Sequence, residues 1–228
     1  MAEHTEPTTN ESMRAVPLAA ERFVDHIVWG TADTDAAIHT LHSLTGVQAR
    51  IGSMPQHSRY PTRSAGVGLG DGAFFEIYGP NPNYQGPPSF FHDLLVGLDE
   101  PRLLTWFVRV NDLPAMLRGF RELGHEGTMM IDEWERTEAA SFRNAQFPSH
   151  ALDSAMPRLI EWNRRVGMDD HLAAEMTLQT LRVGSDDPDV QDLHRMLGLH
   201  IATDIRFEHR PQTLTVELDC PNGKVSLR

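Results

Sequence analysis

A histidine in an apolar strand is the first residue of this chain that could do chemistry. His26 lies within "FVDHIVWG", where Phe23, Ile27, Val28 and Trp29 are typical of a buried strand. An imidazole in that place is either a core histidine that hydrogen-bonds a neighbour or a metal ligand. The rest of the chain has to decide between the two.

Glu76, in "FFEIYGP", is the second candidate. It alternates with Phe75 and Ile77, so its side chain faces the opposite side of the strand from theirs. If those two residues pack under helices, Glu76 points to the concave side of the sheet. A buried carboxylate needs a partner there, and a metal is one choice, whereas the other interpretation is a solvated strand face.

Other candidates lie in two further stretches. Glu161 shows a similar alternation in "PRLIEWN", and His57 lies in a polar stretch as a ligand, a proton shuttle or an exposed loop residue. Arg63 and Tyr60 flank His57 and could hold an anionic or carbonyl group. Imidazole and carboxylate together suit Fe(II), Mn(II), Zn(II) or Ni(II).

The elements that must position these residues form an internal repeat. In each of three copies an apolar strand leads to an Asp that can cap a helix, and a Gly can close that helix. The pairs lie 13, 12 and 11 residues apart, at Asp33 and Gly46, Asp112 and Gly124, and Asp187 and Gly198. The pattern predicts helices near 34–45, 113–123 and 187–197.

Strand patterns follow each helix, so every unit reads as βαβββ and the fold class is predicted to be α+β, with curved mixed sheets and the helices outside. We expect residues 1–20 to form a disordered tail. Residues 21–163 are predicted to be one domain made of modules 23–80 and 103–163. Residues 164–228 are predicted to be a third module packed on the same domain.

Composition excludes several functions. The chain has 228 residues and a formal charge of −12, which would repel a nucleic acid. No apolar run is long enough to cross a bilayer, and residues 1–20 lack the charged start and continuous apolar stretch that are typical of a signal peptide. The single cysteine, Cys220, is typical of a reducing compartment. These features predict a soluble cytoplasmic protein that binds neither nucleic acid nor membrane.

The repeat that opens on Asp25 and His26 and closes on a strand Glu resembles the vicinal oxygen chelate superfamily. Its members include glyoxalase I, the extradiol dioxygenases and the bleomycin-resistance proteins. The resemblance is to the glyoxalase-like branch and is most specific in the first unit, in "DHIVWGTADTDAAIHTLHSLTGV" and "PQHSRYPTRSAGVGLGDGAFFEIYGPNP".

The resemblance implies that two units form a cup around a divalent metal, with ligands on the first and fourth strands of each. His26 and Glu76 match two of these positions. Alignment on the capping Asp residues puts Thr105 at the third, and alignment on strand ends puts Glu161 at the fourth. His26, Glu76 and Glu161 are three ligands, one short of the usual four. His57 matches a histidine of the branch and would supply the fourth. The candidates for substrate binding are Arg63, Tyr60, Thr105 and Trp162.

The resemblance further implies a metalloenzyme that binds adjacent oxygens of a small molecule, for isomerase, lyase or dioxygenase chemistry. The metal would polarise a carbonyl, and Glu76, Glu161 or His57 would move the proton. The alternative is a metal-free protein that binds and sequesters a small molecule. Because a third unit leaves strand edges without a partner, we expect it to pack on the first two or to complete a homodimer.

Overall fold

The protein is seen as a computed structural model that describes residues 24–51, 60–122, 130–137, 140–146, 154–165, 174–199, 202 and 204–228. The predicted N-terminal tail and His57 lie outside these residues. Within the described part of the chain, no helix is long and apolar enough to cross a membrane.

The first unit follows the predicted order of elements. Asp33 caps its helix by accepting hydrogen bonds from the backbone N–H groups of Asp35 and Ala36, and Gly46 ends it at φ 79°. The unit consists of β1 (Val24–Gly30), α1 (Thr34–Thr45), β2 (Arg50–Ile51), β3 (Thr62–Gly70) and β4 (Ala73–Pro80).

A short helix, α2 (Phe90–Val96), lies between the predicted modules 23–80 and 103–163. Ser89 caps it, its side chain accepting a hydrogen bond from the backbone N–H of His92. The second unit then repeats the order of the first. It consists of β5 (Arg102–Arg109), α3 (Leu113–Glu122), β6 (Met130–Thr137), β7 (Ala140–Gln146) and β8 (Arg158–Arg165).

The first two units share one eight-stranded sheet of order β2-β3-β4-β1-β5-β8-β7-β6. The first strands of the two units, β1 and β5, pair antiparallel at its centre. Each of them pairs in parallel with the fourth strand of its own unit, β4 or β8. The sheet curls into a half-barrel, and we call its concave side the cup.

The third unit keeps the order of elements but pairs its strands differently. Its sheet has the order β10-β9-β11-β12, with β9 parallel to β10 and antiparallel to β11. Both edges of β9 are thus covered by strands of its own unit, β10 and β11. The elements are β9 (Thr177–Gly184), α4 (Pro188–Met196), β10 (Ile205–Glu208), β11 (Thr213–Cys220) and β12 (Gly223–Leu227).

One buried cluster joins the two sheets. It runs from Leu41 and Phe75 in the first unit to Leu181 and Val216 in the third. The backbone N–H of Leu103 also donates to the carbonyl of Arg228 at 3.1 Å. The third unit therefore packs on the first two and shares their core.

A smaller cluster lines the cup on the other face of the large sheet. Its buried members are Val28, Phe107, Phe142 and Ile160, with Tyr78, Leu104 and Trp162 packed against them. Since β1, β4, β5 and β8 all contribute to it, these four strands decide which side chains meet inside the cup.

Candidate active site

His26 points into the cup. On β1 its neighbours Ile27 and Trp29 belong to the large core, whereas Val28 belongs to the cup cluster. The imidazole is 5% exposed and lies between two aromatic rings, with centroid distances of 4.6 Å to Phe74 and 3.9 Å to Phe107. The two rings fix the plane of the imidazole.

Asp25 determines which ring nitrogen of His26 faces the cup. Its carboxylate is fully buried and lies 2.8 Å from His26 Nδ1. A carboxylate only accepts hydrogen bonds, so Nδ1 donates to Asp25, and Nε2 faces the cup. The second oxygen of Asp25 accepts from Arg109 Nε at 2.7 Å and from Trp162 Nε1 at 3.0 Å. A buried charge with three such donors is compensated.

Glu76 is the group that His26 faces. On β4 it alternates with Phe75 and Ile77, which both lie in the large core, so its carboxylate lies on the cup side. Glu76 Oε2 is 3.9 Å from His26 Nε2, and the Glu76 side chain is 12% exposed. The structure therefore brings together the two residues that the sequence placed at one site.

Strand register identifies the equivalent positions in the second unit. Asp112 of the second unit lies 79 residues after Asp33 of the first, and the same offset relates His26 to Thr105. It also relates Val28 to Phe107. Val28 pairs with Glu76, and Phe107 pairs with Arg158. The residue equivalent to Glu76 is therefore Arg158 and not Glu161, which differs from the alignment on strand ends.

Arg158 brings a positive charge to the cup. Its guanidinium carbon lies 5.8 Å from the ring centroid of Phe107 and 5.0 Å from that of Phe91 on α2. Both contacts fall in the range of cation–π interactions. Phe107 thus stacks on His26 and also contacts the guanidinium, so one ring links the imidazole to a group that can donate to oxyanions.

Glu161 lies on the opposite face of the sheet. Its carboxylate accepts from the backbone N–H of Leu113, the first residue of α3, at 2.9 Å and from Arg143 at 2.8 Å. Leu159 packs in the large core and Ile160 in the cup, so Glu161 faces the helices. The structure does not bring Glu161 together with His26, and its contacts are those of a helix N-terminal partner.

The other predicted residues divide between the two faces. Trp162 lies in the cup cluster and holds Asp25, and Thr105 is buried on β5 opposite Val28. Arg63 forms a bidentate pair with Asp35 on α1 and so lies on the helix side. The carbonyl of Tyr60 accepts from the Asn81 side chain.

Sequence reasoning gave no role to Asp25, Arg109 or Arg158. The signal for Asp25 was its position beside His26 in an apolar strand, because a carboxylate there must be buried and compensated. Arg109 offered no such signal, since it meets Asp25 only when β1 and β5 pair. Arg158 required the strand register.

A cup formed by paired βαβββ units, with an imidazole and a carboxylate on its central strands, defines a protein of the vicinal oxygen chelate type. The family model described as "Glyoxalase-like domain" matches residues 24–197. The chain belongs to this glyoxalase-like domain family.

Solved structures are similar to this chain at low sequence identity. A hypothetical protein from Staphylococcus aureus is 13% identical with a TM-score of 0.52, and the match covers 89% of this chain and 83% of that one. Methylmalonyl-CoA epimerase from Mycobacterium tuberculosis is 19% identical with a TM-score of 0.44, covering 65% and 91% of the two chains. A variant of this epimerase from Streptomyces coelicolor, in complex with 2-nitronate-propionyl-CoA, is 16% identical with a TM-score of 0.43, covering 61% and 96%. No curated protein matches the chain.

The donors in the cup fit a divalent metal in type and orientation. A metal-ligating histidine usually donates its other ring N–H to a carboxylate, and His26 does so to Asp25. Glu76 supplies an oxygen 3.9 Å from Nε2. Among the described residues no group of three or more His, Cys, Asp or Glu is arranged to hold a metal. The predicted ligand His57 lies outside those residues.

Proposed function

We propose that this protein is a small-molecule enzyme that acts on a carbonyl compound bound in the cup, with a divalent metal held by His26 and Glu76. The observation that carries the proposal is the fixed orientation of the His26 imidazole. Asp25 holds Nδ1, two aromatic rings hold the plane, and Nε2 faces the Glu76 carboxylate. Fe, Mn, Zn and Ni all accept this pair of donors.

The chain's own residues have separate tasks in this proposal. Asp25 keeps the Nδ1 proton in place, so that His26 binds through Nε2 only. Arg158 orients an anionic oxygen of the substrate, and Phe74 and Phe107 keep water from the buried imidazole. When bound, the metal supplies Lewis-acid polarisation of the carbonyl.

Proton transfer is assigned to two of the residues predicted from the sequence. Glu76 accepts a proton from the carbon next to the carbonyl, and His57 is the second candidate for this step. The Arg158 guanidinium, which contacts the cup residue Phe107, would stabilise the developing oxyanion. Isomerase and lyase reactions both begin with this step, and dioxygenase chemistry remains the other outcome predicted from the resemblance.

The second candidate function is metal-free binding of a small molecule. It is favoured by Thr105 and Arg158, which stand at the two positions related to His26 and Glu76. A guanidinium is no metal ligand, so that half of the cup is suited to hold an anionic ligand directly. The homodimer and the cytoplasmic location stay predictions from the sequence.

Elemental analysis of the purified protein tests the proposal. We expect about one transition-metal ion per chain. His26→Ala and Glu76→Gln should each lose the metal while the protein stays folded, and Glu161→Gln should keep it as the matched control. Absence of metal after refeeding with each candidate ion would support the binding protein instead. Full metal content in His26→Ala would place the metal elsewhere.

A further inference from the structure

A second cavity lies where the first strand of the second unit meets the third unit. Its volume is about 410 Å³, a size typical of sites for small molecules. The start of β5 forms one wall and β11 the other. The lining residues are Arg102, Leu103, Leu104, Ser154, Arg210, Gln212, Thr213, Leu214, Thr215 and Arg228.

Three arginines from separate parts of the chain converge on this cavity, which we call the arginine pocket. Arg210 pairs with Glu208 at 2.9 Å. Within the described part of the chain, Arg102 and Arg228 have no ion pair with a carboxylate. None of the described lining residues is acidic. In a chain with a formal charge of −12, this cluster of positive charge would attract an anion locally.

The remaining lining groups favour an organic anion. Gln212, Thr213 and Thr215 add hydrogen-bonding groups, and the buried Thr213 hydroxyl has no hydrogen-bond partner among the described residues. Leu103 and Leu214 form an apolar wall beside them. A charged group would meet the guanidinium groups while an apolar portion meets the leucines.

We infer that the arginine pocket binds an organic phosphate. The planar guanidinium fork matches two phosphate oxygens at once, and hydroxyl and amide groups can donate to the others. Two unpaired guanidinium groups balance the two charges of a phosphate monoester near neutral pH. The third unit would thereby supply part of a ligand site as well as part of the core.

This site is separate from the cup and does not rest on the proposed enzyme activity. On β5, Arg102 pairs with Gly30 and Phe107 pairs with His26. Five residues of strand separate the two positions, a distance of about 17 Å. Leu104 lies between them, because it lines the arginine pocket and also packs against the cup cluster.

Calorimetric titration of the full chain tests this inference, with phenyl phosphate as the probe and phthalate as a dianion of similar size. We expect saturable binding of phenyl phosphate at one site, at least tenfold tighter than phthalate. Arg102→Gln and Arg228→Gln should each weaken phenyl phosphate binding about tenfold or more, since each removes charge-assisted hydrogen bonds. Arg118→Gln, which changes an exposed arginine on α3, should leave binding unchanged.

Titration of His26→Ala separates the arginine pocket from the cup. We expect this variant to bind phenyl phosphate as the unaltered protein does, even where it has lost its metal. Loss of binding in His26→Ala would mean that the probe occupies the cup. Absence of saturable binding, equal affinity for phthalate, or an equal effect of Arg118→Gln would each overturn the inference.

Discussion

Two histidines among the described residues are almost fully buried between aromatic rings, His26 in the cup and His194 on α4. His194 is 4% exposed and contacts the rings of Trp106 and Phe207, with centroid distances of 5.6 and 4.9 Å. It hydrogen-bonds the backbone of Ala155. Its Nε2 is buried and has no hydrogen-bond partner among the described residues.

The charged groups around each ring separate the two. His26 has the Asp25 carboxylate at Nδ1 and the Glu76 carboxylate facing Nε2. His194 has no carboxylate among its described contacts, and burial lowers its pKa from 6.5 to about 4. The core-histidine interpretation therefore describes His194. In His26, by contrast, Asp25 holds Nδ1 and so directs Nε2 towards Glu76. Burial alone does not distinguish a functional histidine from a structural one, but the partners of both ring nitrogens do.

The largest effect is expected from removing the carboxylate that sets His26 apart. Asp25→Ala would leave Arg109, Trp162 and His26 without their shared acceptor, and breaking a buried ion pair costs about 3–5 kcal/mol. Urea unfolding at neutral pH measures the loss in the free energy of unfolding. A loss below about 1 kcal/mol would show that the Asp25 network contributes little.

His194 should make the fold sensitive to acid. Its pKa is about 4 in the folded protein and 6.5 in the unfolded chain, so the unfolded chain binds the extra proton between these values. Stability is therefore present above pH 6.5 and falls as the pH drops towards 4, by about 3 kcal/mol.

Unfolding curves across this pH range compare the protein with His194→Leu, which should lose that part of the slope. His42→Gln, at an exposed position on α1, is the control and should keep it. An unchanged slope in His194→Leu would contradict the assignment.

Glu161 and Glu76 offer a matched pair of carboxylates on opposite faces of the sheet. Glu161→Gln should cost about 1–2 kcal/mol, because it weakens the charge-assisted bonds to the α3 N-terminus and to Arg143. Glu76→Gln should affect the cup and leave the stability nearly unchanged. Thermal unfolding and metal content of both variants are the measurements. Loss of metal in Glu161→Gln would restore the role predicted from the sequence.

The smallest effect is expected at the surface pair of Arg63 and Asp35. Arg63 holds the pKa of Asp35 below its usual range, but the Asp35 side chain is 65% exposed. Asp35→Asn should change the free energy of unfolding by about 0.5 kcal/mol or less, because water screens such pairs. It should leave ligand binding in the cup unchanged. A defect in ligand binding would show that Arg63 belongs to the site, as the sequence predicted.

Helices and element order could be predicted because their signals are local. The capping residues Asp33 and Asp187 and the closing Gly46 act within a few residues of the chain. The pairing of the third unit could not be predicted in this way. It depends on which strand edges are left uncovered once β1 and β5 have paired.

Only the part of the site that the first unit contributes could be predicted from the sequence. Alternation located Glu76, because Phe75 and Ile77 both pack on one face. It did not place Glu161, since Leu159 and Ile160 are both apolar but face opposite sides of β8. A strand that is apolar on both faces carries no signal for the direction of a charged residue within it.

The central claim is that His26 presents Nε2 to the cup while Asp25 holds the Nδ1 proton. A proton–nitrogen correlation spectrum of the imidazole rings in isotope-labelled protein tests this directly. We predict that His26 shows the tautomer protonated at Nδ1 and that added Zn²⁺ shifts its Nε2 resonance, with no change at His194. A proton on Nε2 of His26, or no response of that nitrogen to Zn²⁺, would contradict the account.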